Sequence, residues 1–167
     1  MKLELLIGRD EIGRRVKELA EEISRDYESP LMLGILNGAF IFMADLVREM
    51  KIPVEIEFVR VKSYRGVNTT GKVEILMDVS DVKDKDVLIV EDIVDTGITM
   101  NFLVKRVMKR GASSVKVCTL LDKPSRRIVD VIPDYVGFTI PDYFVVGYGL
   151  DYNGMYRELP EIYRICD

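Results

Sequence analysis

The sequence predicts an α/β domain, a largely parallel sheet covered on both faces by helices, and three observations predict it. Short, branched apolar runs at 31–36, 87–90 and 115–121 read as strands buried on both faces. Segments between them carry apolar residues at helical spacing. The middle run ends in carboxylates, a glycine and hydroxyls directly before a helical pattern, as at a ligand-facing corner of such a sheet. At 167 residues the chain fits one domain with room for a real core, and no repeat, low-complexity tract or linker divides it.

Residues 3–7, LELLI, suit either a short strand or the lead-in to a helix. From about Asp10, the residues Ile12, Val16, Leu19, Ala20 and Ile23 recur on one helical face. Asp10 is placed to cap that helix and Ser29-Pro30 to close it. The strand at 31–36 turns at Asn37-Gly38 into a helix with Ala39, Phe42, Met43, Leu46, Val47 and Met50 on its apolar side. Residues 53–61 alternate as a strand with one face partly exposed. The polar, aperiodic stretch from Lys62 to Gly71 then separates them from a short strand at 73–77. Its length is unusual for a hairpin and suits a mobile lid or a plain surface loop.

Residues 81–86 form a charged turn. The helix that follows the central strand turns Met100, Leu103, Val104, Val107 and Met108 inward. Its last turns carry Lys105, Arg106, Lys109 and Arg110 against the negative dipole end, with Gly111 as the terminating residue. The strand at 115–121 ends in Asp122-Lys123-Pro124-Ser125-Arg126-Arg127, where Lys123 is either an exposed loop amine or a polar contact at the strand edge. Beyond it the pieces are short. Their glycine spacing makes no dinucleotide fingerprint, their aromatics read as core, and 161–166 reads as a closing strand or tail.

Composition narrows the function. The chain is 48% hydrophobic and 31% charged, ordinary for a globular protein. A net charge of −4 and a pI near 5.1 argue against general binding to nucleic acid or an anionic membrane, while leaving room for a local basic site. There is no histidine, and Cys118 and Cys166 are the only cysteines. That gives little basis for structural zinc or a disulfide framework and fits a reducing cytoplasm. The N-terminal apolar run is short for a signal peptide, and no later segment is suited to span a bilayer.

The organising stretch is 87–101, VLIVEDIVDTGITMN. A helix start offers unpaired amide groups and a positive dipole end, which suits a phosphate. Gly97 lets the backbone approach, and Thr96 and Thr99 add hydroxyls. Glu91, Asp92 and Asp95 repel one another, with no Lys or Arg between Lys85 and Lys105. Any one of these acids could simply cap a helix or face water. Together they suit cations and ribose hydroxyls, so a phosphorylated sugar carried with Mg²⁺ answers both halves of the loop.

This string resembles the phosphoribosyl pyrophosphate motif of the type I phosphoribosyltransferases, and its Glu-Asp pair is most similar to the hypoxanthine-guanine branch. Three further stretches resemble that family in its order. Leu36-Asn37-Gly38 is similar to a pyrophosphate-contacting loop with a cis peptide, although Asn37 stands where the family has a basic residue, which keeps the backbone role and removes the side-chain charge. Ser63-Tyr64 with Thr70-Gly71 resembles the flexible loop that closes over the reacting centre. Residues 136–160 resemble the C-terminal hood.

The resemblance implies the type I phosphoribosyltransferase fold, with a core at about 31–123 and a small hood from the N-terminal segment and about 124–167. It implies transfer of 5-phosphoribosyl from phosphoribosyl pyrophosphate to hypoxanthine or guanine. Asp95-Thr96-Gly97-Ile98-Thr99 would hold the 5′-phosphate, and Glu91 and Asp92 the ribose hydroxyls, directly or through Mg²⁺. Leu36-Asn37-Gly38 and Arg157 would contact pyrophosphate, and Asp151, at the edge of the purine pocket, would serve a second Mg²⁺. Lys123 would donate to the purine 6-oxo group, Phe144 stack on the ring and Val145 read its edge. Asp95 is the candidate general base, and Ser63 and Tyr64 belong to the lid. The family implies a homo-oligomer, dimer or tetramer. Two other possibilities remain: a same-fold enzyme for xanthine or a pyrimidine, and a non-catalytic sensor of phosphoribosyl pyrophosphate that binds nucleic acid.

Overall fold

A computed structural model describes residues 1–63 and 72–166. Tyr64, Thr70 and Gly71 of the expected lid lie outside the described residues, and Ser63 is described only as the last backbone residue of its strand.

The main sheet has six strands: β2 (Leu31–Leu36), β3 (Glu55–Ser63), β4 (Val73–Met77), β5 (Asp86–Val94), β6 (Ser114–Asp122) and β7 (Tyr135–Thr139). Their order is β4-β3-β2-β5-β6-β7, parallel except where β4 returns antiparallel along β3. The order reverses between β2 and β5, which opens a crevice at the carboxyl ends of those two strands. The β3 strand begins two residues later than its alternating pattern suggests. Pro53 cannot donate to a ladder, and the first pairing amide is that of Glu55, which donates to Pro30 O at 3.1 Å.

Both faces of β5 are buried, as its unbroken Val87-Leu88-Ile89-Val90 run requires. On one face, α1 (Arg9–Asp26) and α2 (Phe40–Glu49) bring Ile12, Val16, Leu19, Ile23, Phe42, Met43 and Leu46 against Met32, Leu88 and Val90. On the other, α3 (Ile98–Lys109) packs Met100, Leu103 and Val107 against Leu33, Val87 and Ile89. Cys118 is one of the apolar core residues of the first face.

A second sheet joins the chain ends. β1 (Lys2–Ile7) pairs antiparallel with β9 (Ile162–Cys166), which pairs with β8 (Val145–Val146). Residues 3–7 are thus a strand rather than a lead-in to α1. The main sheet runs past residue 123, because β7 pairs with β6 as its outer strand. Asp10 does not cap α1: the helix starts at Arg9 with Gly8 in the cap position, and Asp10 lies in the first turn. The Arg9 amide is bonded instead by the Glu161 carboxylate at 3.1 Å, a tertiary partner that removes the need for a local cap.

The expected basic end of α3 finds a specific acid. Asp78, just after β4, accepts from Arg106 through Nε at 3.1 Å and through Nη2, and from Arg110 at 2.7 Å. Those bonds, Arg106 first, hold the Asp78 carboxyl well below the usual carboxylate range. A depressed carboxyl stabilises the fold above its unfolded pKa and loses that contribution as pH falls toward its folded value. For this partly exposed group, Asp78→Asn is expected to cost about 1 kcal/mol at pH 7. In urea unfolding, the gap from the parent chain should narrow below about pH 4; a constant gap from pH 7 to pH 3 contradicts the pairing.

Candidate active site

A cleft of about 850 Å³ opens at the carboxyl ends of β5 and β6, facing the hood. Glu91 to Met100 form its floor, Lys123 and Arg126 one side, and Phe144, Val145, Leu150 and Asp151 the roof. The motifs at 91–99, 123 and 144–151, far apart in sequence, therefore share one cavity.

The floor is built where β5 runs out into α3. Thr96 Oγ1 accepts from Ile98 N at 3.3 Å, and Gly97 sits at φ +88° as the residue before α3. A Cβ at Gly97 would lie 2.6 Å from Val131 Cγ2 and 2.9 Å from Arg127 Cδ. Glycine is therefore required twice, by backbone hand and by space. Thr96 O accepts from Ile128 N at 3.0 Å and Val129 N at 3.3 Å, so the chain after β6 braces the loop from outside. The first turn of α3 starts at this floor and carries no acidic residue, so its amide end remains electropositive.

Glu91 is buried, and burial followed by the neighbouring Asp92 charge pushes its carboxyl well above the usual range. Asp92 is pushed up to about 6, mainly by burial and further by Asp151, against the lowering effects of the Ile93 amide and Arg157. The Ile93 amide donates to Asp92 Oδ1 at 2.8 Å. The purine-side expectations also assemble. Lys123 is only 7% exposed, its amide donates to Val94 O at 2.9 Å, and its Nζ lies 3.8 Å from Asp142 Oδ1. Phe144 is 52% exposed and meets Tyr152 edge-on at 5.7 Å, leaving ring surface for a ligand. Val145 is buried in β8.

The residues expected on the pyrophosphate side, Leu36, Asn37, Gly38 and Arg157, sit behind this cleft rather than in its lining. Leu36–Asn37 is a cis peptide, as the resemblance implied. Gly38 abuts Asp92, whose Oδ2 a Cβ there would overlap, and Gly149 abuts Gly38 O in the same way. Arg157 donates to Gly149 O at 2.6 Å and lies 3.3 Å from Asp151 Oδ1. Asp151 Oδ2 accepts from Gly154 N at 2.8 Å. Asp92, Gly38, Gly149, Asp151 and Arg157 thus form a continuous wall.

Three neighbours were not singled out in the sequence. Arg126 Nε is 3.1 Å from Asp95 Oδ1 and its Nη1 is 3.7 Å from Asp142 Oδ2. Arg127 forks onto Asp122, and its stem lies under Gly97. The cluster after β6 signalled a polar strand end, but nothing in spacing showed that Arg126 would reach back 31 residues to Asp95.

Among the described residues, no three His, Cys, Asp or Glu side chains converge to cage an ion. What the cleft offers is hard carboxylate oxygens at Glu91, Asp92 and Asp151. That donor set fits Mg²⁺, which keeps waters and takes one or two carboxylates beside substrate oxygens.

Carboxylates and a glycine just before α3, at the reversal point of an open sheet, make the ligand-facing corner of an α/β protein. Comparison with known proteins makes this particular. Residues 8–153 match the phosphoribosyl transferase domain family. The chain is 46% identical to the hypoxanthine phosphoribosyltransferase of Salmonella typhimurium, covering 98% of this chain and 95% of that one. It is 46% identical to the hypoxanthine-guanine phosphoribosyltransferase of Bacillus subtilis, covering 95% and 90%. A crystal structure of a hypoxanthine-guanine phosphoribosyltransferase from Bacillus anthracis superposes with a TM-score of 0.93 at 44% identity, covering 98% of each chain. The chain belongs to the phosphoribosyltransferase family.

Gly97→Ala places a side chain in a left-handed backbone, at about 1–2 kcal/mol. That strain is a cost to the fold, on the order of 1–2 kcal/mol in urea unfolding; an unchanged unfolding midpoint would show that the loop relaxes to accept a side chain at position 97.

Proposed function

We propose that the chain transfers the 5-phosphoribosyl group of phosphoribosyl pyrophosphate to N9 of hypoxanthine or guanine, giving IMP or GMP and pyrophosphate in purine salvage. The observation that carries this reading is the convergence of a phosphate-suited helix start, the Glu91-Asp92 pair and the Lys123 amine on one cleft.

The 5′-phosphate lies against Asp95-Thr96-Gly97-Ile98-Thr99, where amides and the dipole of α3 meet it. Glu91 and Asp92 hold the ribose hydroxyls. Leu36-Asn37-Gly38 and Arg157 take the pyrophosphate, with the guanidinium suited to several phosphate oxygens. Glu91, Asp92 and Asp151 would hold Mg²⁺, which would supply charge neutralisation for the leaving pyrophosphate. As the bond from C1′ to pyrophosphate breaks and the bond to N9 forms, Asp95 accepts a purine proton from N7. Its anionic charge also favours the oxocarbenium-like sugar.

Lys123 decides the base. An amine that donates to a 6-oxo group is left without that acceptor by adenine, so adenine is rejected. Phe144 stacks on the ring, and the Val145 backbone reads its edge. Two free cysteines fit residence in a reducing cytoplasm. Among the described residues, no helix is long and apolar enough to cross a membrane. Exposed Ile56 on β3 and Leu76 and Met77 on the outer strand β4 offer apolar surface for a homo-oligomer, a dimer or tetramer.

Nucleotide formation from phosphoribosyl pyrophosphate and Mg²⁺ with hypoxanthine, guanine, xanthine and adenine tests the assignment. Turnover is expected with hypoxanthine and guanine and not with adenine. Asp95→Asn should lower kcat by about 10²-fold or more. Tight substrate binding with no turnover on any base sinks the enzyme, and full activity in Asp95→Asn sinks only the base.

A further inference from the structure

The hood segment Gly147-Tyr148-Gly149 has three successive left-handed residues, at φ +98°, +51° and +100°. The glycines have reasons of space: a Cβ at Gly147 would overlap Glu161 O, and one at Gly149 would overlap Gly38 O. Tyr148 has no such reason, and a side chain is disfavoured in that backbone. It is 6% exposed, its amide donates to Leu159 O at 2.8 Å, and its hydroxyl donates to Asp45 Oδ2. Arg48 fixes the other oxygen, with Nη2 at 2.6 Å from Asp45 Oδ1. Asp45 lies on α2, the helix that starts two residues after Gly38.

We propose that Tyr148 and Asp45 are positioning residues for the pyrophosphate half of the site, a latch that presses Gly149 and Asp151 against the Leu36-Asn37-Gly38 loop. The inference rests on the pyrophosphate assignment above. Two contacts bracket the latch: Gly149 against Gly38 O on the substrate side, and Arg157 Nη1 to Gly149 O at 2.6 Å behind it. Residues 145, 150 and 151 line the active cleft, whereas Tyr148 and Asp45 line a second cleft of about 760 Å³ on the other side of the same segment. The latch therefore touches no substrate and acts through the backbone between the clefts. Burial, then the bond to Asp45, raises the Tyr148 hydroxyl above its ordinary range, so it stays a donor at neutral pH. Lys123 follows β6, and Phe144 and Val145, although they lead into the latch, are fixed separately on β9 through the β8 pairing and the Ile165 amide, which donates to Phe144 O at 2.9 Å, so loss of the latch falls on the pyrophosphate half first.

The experiment is forward and reverse kinetics of the full chain for Tyr148→Phe, Asp45→Ala, their double variant and Asp45→Asn, each checked for folding by thermal unfolding. Tyr148→Phe and Asp45→Ala are each expected to raise KM for phosphoribosyl pyrophosphate, and for pyrophosphate in reverse, by about tenfold. KM for hypoxanthine stays within about twofold on the same scale. The double variant is no worse than either single one, because both remove one bond. Asp45→Asn keeps an acceptor oxygen and restores most of the affinity. A fall in thermal stability with both KM values unchanged, an equal rise in both, or multiplied effects in the double variant overturns the latch. Arg157→Ala runs in parallel as a test of the assignment itself. If it raises KM for phosphoribosyl pyrophosphate while Tyr148→Phe does not, only the latch fails. If neither does, the pyrophosphate assignment fails with it.

Discussion

Two adjacent carboxylates at the end of the central strand, Glu91 buried and Asp92 partly so, are the constraint the rest of the structure answers to. Burial raises both, so in the ligand-free chain they resist ionisation, and a neighbouring charge makes matters worse. Such a pair destabilises a fold that gains nothing from it. Its surroundings are shaped to tolerate it and give it a ligand. Gly38 leaves room for Asp92 Oδ2, the Ile93 amide donates to Oδ1, and Arg157 lowers the charge cost from behind. The cation comes from another part of the chain because β5 and the start of α3 carry none.

That shortage explains the layout. Positive charge comes from two later segments: Lys123 and Arg126 after β6, and Arg157 in the hood behind the cleft. Each meets an acid at the rim, Asp142, Asp95 or Asp151, so it is oriented before substrate arrives. Each pair keeps at least one side chain well exposed, so it contributes little to stability. Their value is in placing charge, which is where preorganised electrostatics assists a reaction. The sheet topology makes the arrangement economical: the strand order reverses between β2 and β5, and the loops that leave their carboxyl ends converge without a long excursion.

Much of this was legible in the sequence, and the limit lies where local pattern stops carrying information. The buried strands at 31–36 and 115–121 were readable because branched apolar runs have few other uses. The inward faces of α1 and α2 were readable from spacing, and so was that of α3 except at Met108, which lies exposed in the last turn. The 91–99 corner stood out because carboxylates, threonine and glycine in that order serve a ligand better than they serve a helix, and these residues do line one cleft. Asp10 misled because a capping residue looks the same whether or not a distant carboxylate has taken the work. Here Glu161 had. Arg126, Arg127 and Asp142 were invisible for the same reason: an arginine in a polar loop does not announce which of several carboxylates it will meet. The 3–7 strand was ambiguous because a lone strand is decided by its partner, and β9 lies at the other end of the chain.

The two halves of the site therefore depend on different physics. The floor at 91–99 is a βα corner whose parts are neighbours in sequence, set by the packing of β5 and α3. The hood is held by contacts that span most of the chain: Arg9 to Glu161, Tyr148 to Asp45, and β1 to β9. Closing so long a loop costs little more than closing one of half the length, because the entropy grows only logarithmically. A few specific bonds can therefore decide whether the hood sits over the cleft. Substitutions near either chain end should reach the reaction through the hood, while the corner at 91–99 stays as the central strand left it.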